Sequence, residues 1–399
     1  MAKTGDSPRS ACRVSRECGA CKHIDMPYGK QLAAKDARVA ELFAGFPDVE
    51  IRPIIGMDDP FHYRNKVTSP FAPGKRGPNG GREILTGMYA AGTHRIVQTD
   101  SCLLENEQAQ QVIGTVKQLM KKHRIAPYDE NKGTGFMRHA VVRVGHESGE
   151  VLVTLVTNDD TFPNSKSFCR ELVRRCPFVT TVVQNVNTRQ TNVILGEREQ
   201  RLYGPGFILD TLCGLSFRIS SQSFYQVNSA QTTVLYEQAV QLAQLQGGGT
   251  VIDAYCGTGT IGLVAARRGA TSVIGVDSVE SAIRDARQNA SHNGVENALF
   301  VAADATDFMR EAAAAGQHAD VVLMDPPRAG STEQFLDALA GLAPSRVVYV
   351  SCNPETQVRD LCHLAKKGYR VHMVQPVDMF PHTDHVETVC LLTHARRGI

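Results

Sequence analysis

From about residue 250 onward, short β-branched runs alternate with helical stretches, and this alternation limits the possible folds of the chain more than any other feature. The runs at 250–254, 272–276, 298–302, 320–324 and 346–350 read as strands, and 260–268, 279–292, 332–341 and 355–366 read as helices. Strands separated in this way pair in parallel and bury both faces. The pattern predicts a doubly wound α/β sheet with ligands at the carboxyl ends of its strands. A helix at 229–245 leads in through Gly247-Gly248-Gly249, and Tyr369–Val374 and Val386–Thr393 supply two late strands.

The first half lacks this period. At 399 residues the chain exceeds what one core usually holds, about 250–300 residues, so several domains are expected. Residues 1–45 combine a cysteine group with a helix over Gln31–Phe43 and read as a small ligand-stapled module. Residues 46–215 read as an α+β domain with strands at 49–55, 64–71, 84–89, 141–144 and 151–157, one helix at 105–123, and an exposed loop carrying Pro73-Gly74 and Pro78-Asn79-Gly80-Gly81. Residues 216–399 form the α/β domain. No apolar run approaches the ~20 residues of a membrane span, and Met1–Ser10 are polar and lack a signal-peptide core, so a cytoplasmic protein without a membrane partner is expected. Residues 1–40 carry eight Lys or Arg against four acids, and 61–100 six against two. This local excess, invisible in the net charge of +2, matches either a phosphate-binding face or an ordinary solvated surface.

After the strand residues Val251-Ile252 comes Asp253-Ala254-Tyr255-Cys256-Gly257-Thr258-Gly259-Thr260-Ile261-Gly262, a glycine-rich turn opening a helix. Such turns serve dinucleotides, phosphates and other nucleoside ligands alike. Two acids separate these cases. Asp253 reads as lying in the loop, where it would repel a diphosphate but accept a sulfonium, and Asp277 ends the next strand, placed for the two hydroxyls of a ribose. The pair favours S-adenosylmethionine over NAD. Asp304 ends the third strand, where it reads as an adenine contact or as a helix N-cap.

A second constellation follows. Asp325-Pro326-Pro327-Arg328 is a strand running into a rigid turn, and Arg328 stands where amine methyltransferases usually have a stacking aromatic. Cys352, in Ser351-Cys352-Asn353-Pro354, sits at the mouth of the next strand. Carbon-5 of a pyrimidine needs covalent help to accept a methyl group, and a thiolate adding to C6 provides it. A free thiol has a pKa of about 8.5, so depression by Arg328 or by the helix N-terminus near Glu355 would help. A base must then remove the C5 proton. Glu387 is a candidate, with His382 and His385 as chemical rivals.

Ser223-Phe224-Tyr225-Gln226-Val227-Asn228, Tyr255-Cys256-Gly257-Thr258-Gly259, Asp325-Pro326-Pro327-Arg328, Ser351-Cys352-Asn353-Pro354 and His385-Val386-Glu387 occur in order along nearly the whole chain. In these motifs the chain resembles the RNA 5-methyluridine (uracil-C5) methyltransferase family. The resemblance implies a class I Rossmann-like methyltransferase domain, Cys352 as nucleophile and Glu387 as base. It also implies cofactor contacts from Gln226, Tyr255, Thr260, Asp277, Asp304 and Asp325. Many members begin with an OB-like RNA-binding barrel, whereas this chain begins at the cysteine module. RNA contact is therefore expected from the central domain, with Tyr63-Arg64-Asn65-Lys66, Lys75-Arg76, His94-Arg95 and Arg138-His139 as candidates.

Cys12, Cys18, Cys21 and the distant Cys102 form a set of four soft ligands that suits zinc or an iron-sulfur cluster, and their spacing leaves both open. Similar members of the family carry this arrangement around a [4Fe-4S] cluster, which the resemblance therefore implies, in a structural or RNA-docking role. Cluster-bearing members point to 23S rRNA as the substrate, with transfer-RNA T-loop methylation as the alternative. A noncatalytic RNA-binding or ribosome assembly factor is the reading from another class. No obligate protein partner is expected.

Overall fold

The protein was analysed as a computed structural model in which residues 12–76, 82–99 and 101–394 are described. The polar Met1–Ser10 stretch and the Pro78-Asn79-Gly80-Gly81 turn lie outside these residues. In chain order the elements are α1 (Tyr28–Leu42), β1 (Glu50–Ile51), β2 (Lys66–Arg76), β3 (Arg82–Tyr89), β4 (Ile96–Gln98), α2 (Glu107–Lys122), β5 (Met137–Val144), β6 (Val151–Thr157), α3 (Ser165–Arg175), β7 (Val179–Val186) and β8 (Arg198–Tyr203). A hairpin follows, β9 (Ile208–Leu212) and β10 (Leu215–Ile219). Then come α4 (Ser229–Ala243), β11 (Thr250–Ala254), α5 (Thr260–Arg267), β12 (Ser272–Asp277), α6 (Glu280–His292), β13 (Ala298–Ala302) and α7 (Ala305–Ala314). The chain continues with β14 (Val321–Met324), α8 (Glu333–Leu342), β15 (Arg346–Ser351), α9 (Pro354–Lys366), β16 (Tyr369–Val377) and β17 (Glu387–His394).

The expected doubly wound sheet is present, in the order β1-β16-β17-β15-β14-β11-β12-β13. Strands β11 to β15 run parallel, and β17 enters antiparallel between β15 and β16. Val347, Val348, Tyr349 and Val350 are all at most 1% exposed, because helices cover both faces and leave no polar alternation to read. One core lies under α4, α5 and α6, the other under α1, α7, α8 and α9. Each fully buried Val or Leu there contributes about 1.5–3 kcal/mol. The order reverses at β11, whose neighbours are β12 and β14, and this is where such sheets open a crevice at their carboxyl ends. Helix α7 was not legible in the sequence. It is alanine-rich, with only Ala305, Met309 and Ala312 buried, so it lacks a conspicuous apolar stripe.

The central sheet runs β4-β3-β2-β5-β6-β7-β8, with α2 and α3 on a shared core. Two segments cross the expected divisions. Strand β1 pairs with β16, so residues 50–51 extend the catalytic sheet and not the central one. Ile208, Leu212, Leu215, Phe217 and Ile219 of the β9–β10 hairpin pack into the catalytic core, so a boundary at 215 cuts a hairpin. No described helix is long and apolar enough to cross a membrane.

Candidate active site

At the carboxyl end of β11 the backbone turns sharply, with Tyr255 (φ +63°), Gly257 (φ +53°) and Gly259 (φ +78°) all left-handed. Such a conformation costs a non-glycine residue about 1–3 kcal/mol, so Tyr255 is held by its surroundings. Its ring packs against Phe335 at 5.1 Å, and its hydroxyl lies 3.4 Å from Ser331 Oγ. The two glycines serve different ends. A Cβ on Gly257 would meet nothing within 4 Å, as ligand approach requires, whereas one on Gly259 would lie 2.7 Å from Phe300, a packing constraint.

Asp277 fixes this turn: Oδ2 accepts from Gly257 N (3.0 Å) and Oδ1 from Val279 N (2.8 Å). Thr260 opens α5 and donates to Tyr236 Oη at 3.3 Å. Asp304 is the N-cap of α7, with Oδ1 accepting from Thr306 N (2.8 Å) and Asp307 N (3.2 Å). Gln226 is half-buried, and its carbonyl accepts from Asn65 Nδ2 at 2.9 Å. Asp253 requires a correction. It is not in the loop but buried within β11, with Oδ2 accepting from Gly262 N (2.8 Å), and burial raises its pKa to about 8. It anchors helix α5, and its charge does not select a sulfonium.

The catalytic candidates converge through strand register. Ser351 in β15 pairs with Thr388 in β17. That is the last pair of this antiparallel ladder, and Cys352 and Glu387 are the residues adjacent to it, one just past the end of β15 and the other at the start of β17. Asp325, at the end of β14, faces the same space, and Arg328 closes it. The Arg328 carbonyl accepts from Asn353 Nδ2 and Thr356 Oγ1, both at 3.2 Å, which ties the Asp-Pro-Pro-Arg turn to the start of α9.

The three groups and Arg328 act on one another's charge. Burial first, and then the neighbouring charge of Asp325, raise Glu387 to about 8, opposed by Arg328. Burial raises Asp325 to about 7. Burial, then Glu387 and Asp325, also raise the Cys352 thiol, and Arg328 offsets only part of the effect through charge and a hydrogen bond. The expected depression by Arg328 is therefore real in sign but outweighed. His382 points elsewhere: it is 2% exposed, bonded to Gln31 and stacked on Phe61 at 4.9 Å. His385 is exposed and contacts Arg328.

Several residues without a sequence signal hold the segment leading to Glu387. Lys22 N and His23 N both donate to His382 O at 3.1 Å, and the Lys22 and His23 side chains bind Asp384. Buried Lys35 pairs with fully buried Asp378 at 2.7 Å, and Tyr28 donates to the same carboxylate at 2.9 Å. Asn65, and Arg143 through the carbonyl of Ser223, tie the central sheet to the 223–229 motif. Phe224 stands out from that motif, 68% exposed.

Cys12, Cys18, Cys21 and Cys102 line one small cavity together with Val14, Ile24 and Leu104. Burial and mutual repulsion raise Cys21 to about 12, and burial raises Cys18 and Cys102. As the side chains stand they do not close around a metal ion: among the described residues no group of three or more His, Cys, Asp or Glu side chains is arranged to hold one.

Comparison with known proteins gives the family. Residues 211–395 match the model of the tRNA (uracil-5-)-methyltransferase family. An uncharacterized RNA methyltransferase of Halalkalibacterium halodurans is 43% identical over 97% of this chain and 84% of its own length, and one from Bacillus cereus is 41% identical over 97% and 83%. The chain belongs to the RNA uracil-5-methyltransferase family. Among solved structures, the Pyrococcus abyssi tRNA (uracil-54, C5)-methyltransferase in complex with S-adenosyl-L-homocysteine superposes with a TM-score of 0.77 at 30% identity, covering 94% of this chain and 86% of that one. The enzyme is an S-adenosylmethionine-dependent RNA methyltransferase, and the crevice at the β11 switch point is the expected place for that cofactor.

Proposed function

We propose that the enzyme methylates C5 of a uridine through a covalent intermediate on Cys352, resolved by Glu387. The observation that carries this reading is the β15–β17 ladder, whose last pair, Ser351 and Thr388, stands next to Cys352 and Glu387 in the two strands. Cys352 sulfur bonds to C6, and the C5=C6 electron pair moves toward C5 and O4. S-adenosylmethionine supplies the methyl group as an electrophile. The enolate pair goes into the new bond from C5 to the methyl carbon; Glu387 then takes the C5 proton, the C5–H electron pair re-forms C5=C6, and the C6–S bond breaks with its pair leaving on the Cys352 sulfur. Arg328, beside the thiol, favours its ionised form, and the N-terminus of α9 adds a smaller contribution. Gln226, Tyr255, Thr260, Asp277 and Asp325 would contact the cofactor. Asp304 would do so only through the oxygen not used in its cap.

The substrate in this reading is 23S rRNA in the cytoplasm, supported by the four-cysteine cavity, where Cys12, Cys18, Cys21 and Cys102 would hold a [4Fe-4S] cluster. The central domain would bear on the RNA. Transfer RNA is the second reading, being the substrate class named for the Pyrococcus abyssi enzyme. RNA containing 5-fluorouridine should trap an adduct on Cys352, because fluorine does not leave as a proton does. An adduct formed by Cys352→Ala would overturn the assignment. Mapping 5-methyluridine in RNA from a deletion strain separates the substrates, since the mark disappears from 23S rRNA in one case and from tRNA in the other. Anaerobic protein should absorb near ~400 nm and contain iron, and zinc in its place would exclude the cluster.

A further inference from the structure

Two cations of the central sheet stand side by side, with no acid beside either among the described residues. Lys66 of β2 and Arg143 of β5 are paired directly across the antiparallel ladder, so their side chains are neighbours on one face. Val67, Val142 and Val144 alternate with them and join the core shared with α2 and α3, which leaves the pair on the opposite face. That face meets the catalytic domain. Leu152 and Val183 pack into its core, and Arg143 Nη2 donates to the Ser223 carbonyl at 2.5 Å.

Arg143 is 5% exposed, and among the described residues the bond to Ser223 is its one side-chain hydrogen bond. Lys66 has none. It is half-buried, and its ammonium, unlike Arg143 Nε, is not sealed from solvent. Burial, and then Arg143, pull the Lys66 pKa down to about 8, and burial alone lowers Arg143 to about 10; no carboxylate acts on either. Asp285 accepts from Ser223 Oγ at 3.0 Å and leaves both cations unpaired. Elsewhere the molecule does otherwise: buried Lys35 has Asp378 at 2.7 Å, as a buried cation requires. Like charges set opposite one another in a sheet destabilise it, so folding gives no reason for this pair. An anion from outside the chain does.

The surroundings say which anion. The Ser223 carbonyl begins the 223–228 segment, and Asn65, next to Lys66, donates to Gln226 O (2.9 Å) and Ser229 Oγ (2.8 Å). The segment ends at Asn228, which donates to Met379 O on the stretch leading to Glu387. Phe224 follows Ser223 and is 68% exposed. Thr68 shares the face of Lys66, and with Arg64 it lines an open hollow reaching Gly19-Ala20 of the cysteine module. A small anion has no use for a free ring or a hollow. A strand of RNA uses all of them, the cations for a phosphate, the ring for a base and the hollow for the onward chain.

We propose that Lys66 and Arg143 together hold one backbone phosphate of the RNA at the seam between the central sheet and the catalytic domain. This rests on the reading of RNA as substrate. Lys66→Met is the variant to make, because it keeps the packed stem and leaves Arg143 in place to hold Ser223. The probes are unmodified 23S rRNA and tRNA purified from a deletion strain, and filter binding across a salt series uses whichever the wild type methylates. Lys66→Met should weaken binding by about fivefold or more at low salt and reduce the slope of log K against log salt by about one, the share of one phosphate. It should also raise the urea midpoint, since the repulsion with Arg143 is gone, while Lys66→Arg should bind RNA as the wild type does. S-adenosylhomocysteine should bind Lys66→Met unchanged. Unaltered RNA affinity and salt slope would overturn the proposal. So would weaker S-adenosylhomocysteine binding with RNA binding intact, which would assign the anion to the carboxylate of the cofactor. If the wild type methylates uracil C5 and Lys66→Met binds that RNA normally, only the phosphate site fails; a wild type that methylates neither RNA removes the reading beneath it.

Discussion

The catalytic mouth and the cysteine cavity gather the same kind of group, acids and thiols crowded together and resisting ionisation, yet they are built differently. In the mouth, Cys352, Glu387 and Asp325 come from the ends of three adjacent strands, so sheet register sets their spacing and Arg328 supplies an opposing charge. In the cavity, Cys12, Cys18, Cys21 and Cys102 come from irregular chain, and Arg64 is the cation that partly opposes their charge. A site built on strand ends is preformed. A site built on loops lacks that support from strand register.

The largest effects should come from breaking the mouth. Cys352→Ala should abolish both methylation and 5-fluorouridine trapping. Glu387→Gln should still attack C6 and accept the methyl group but lose about 10²–10⁴ in turnover, accumulating covalent RNA without fluorine. Quantifying the protein–RNA adduct on denaturing gels checks both variants. Free turnover by Glu387→Gln would move the base elsewhere, with His385 next in line.

The link between the two regions is the next to break. Lys35→Met leaves Asp378 buried and facing only the Tyr28 hydroxyl, and removal of one partner from a buried pair costs about 3–5 kcal/mol. Denaturant unfolding should show that loss. Lys35→Met with Asp378→Asn should recover much of it, because no unpaired charge remains.

The link also marks where sequence reading stopped. The parallel sheet was legible because its strands are continuous apolar runs with helices between them, and the positions of Cys352 and Glu387 at strand ends followed from the same runs, while the roles proposed for them rest on the family resemblance. Lys35, Asp378 and Asp384 were not, since contacts over some 340 residues of separation have no local period. Asp253 was misplaced by two residues of loop boundary, enough to turn a helix anchor into an apparent ligand. A bulge in β5, with Arg138 as its extra residue, was invisible for a similar reason: a one-residue register shift depends on the partner strand and not on the strand itself.

Glu387 also makes the mouth pH-sensitive in a direction that can be measured. Its folded pKa of about 8 exceeds the unfolded value near 4.5, so between these limits the folded state holds more protons and stability falls as pH rises. Glutamine mimics the protonated form and has no such slope. Glu387→Gln should match the wild type near pH 5 and exceed it by about 3 kcal/mol at pH 8.5. Each tenfold change in proton affinity is worth about 1.4 kcal/mol, and relaxation around the buried carboxyl takes back part of the total. Urea midpoints across this range provide the measurement, and a gap that shrank with rising pH would contradict the raised carboxyl. Turnover should rise over the same interval, as the carboxylate needed to take the C5 proton becomes populated.

The smallest expected effect lies where the cysteine module grips the segment before Glu387. Asp384→Asn removes the charge that Lys22 and His23 hold but leaves their two backbone bonds to His382 O intact. Because the pair is partly exposed, stability should change by less than about 1 kcal/mol. Asp384 acts as a positioning residue, three positions from the base. Its loss should therefore slow release of methylated RNA a few-fold without slowing 5-fluorouridine trapping, which needs only Cys352 and the cofactor. Equal slowing of both steps would mean that the grip shapes the whole mouth, and the contrast between a cleft set by strand register and a cavity built on loops would then have to be redrawn.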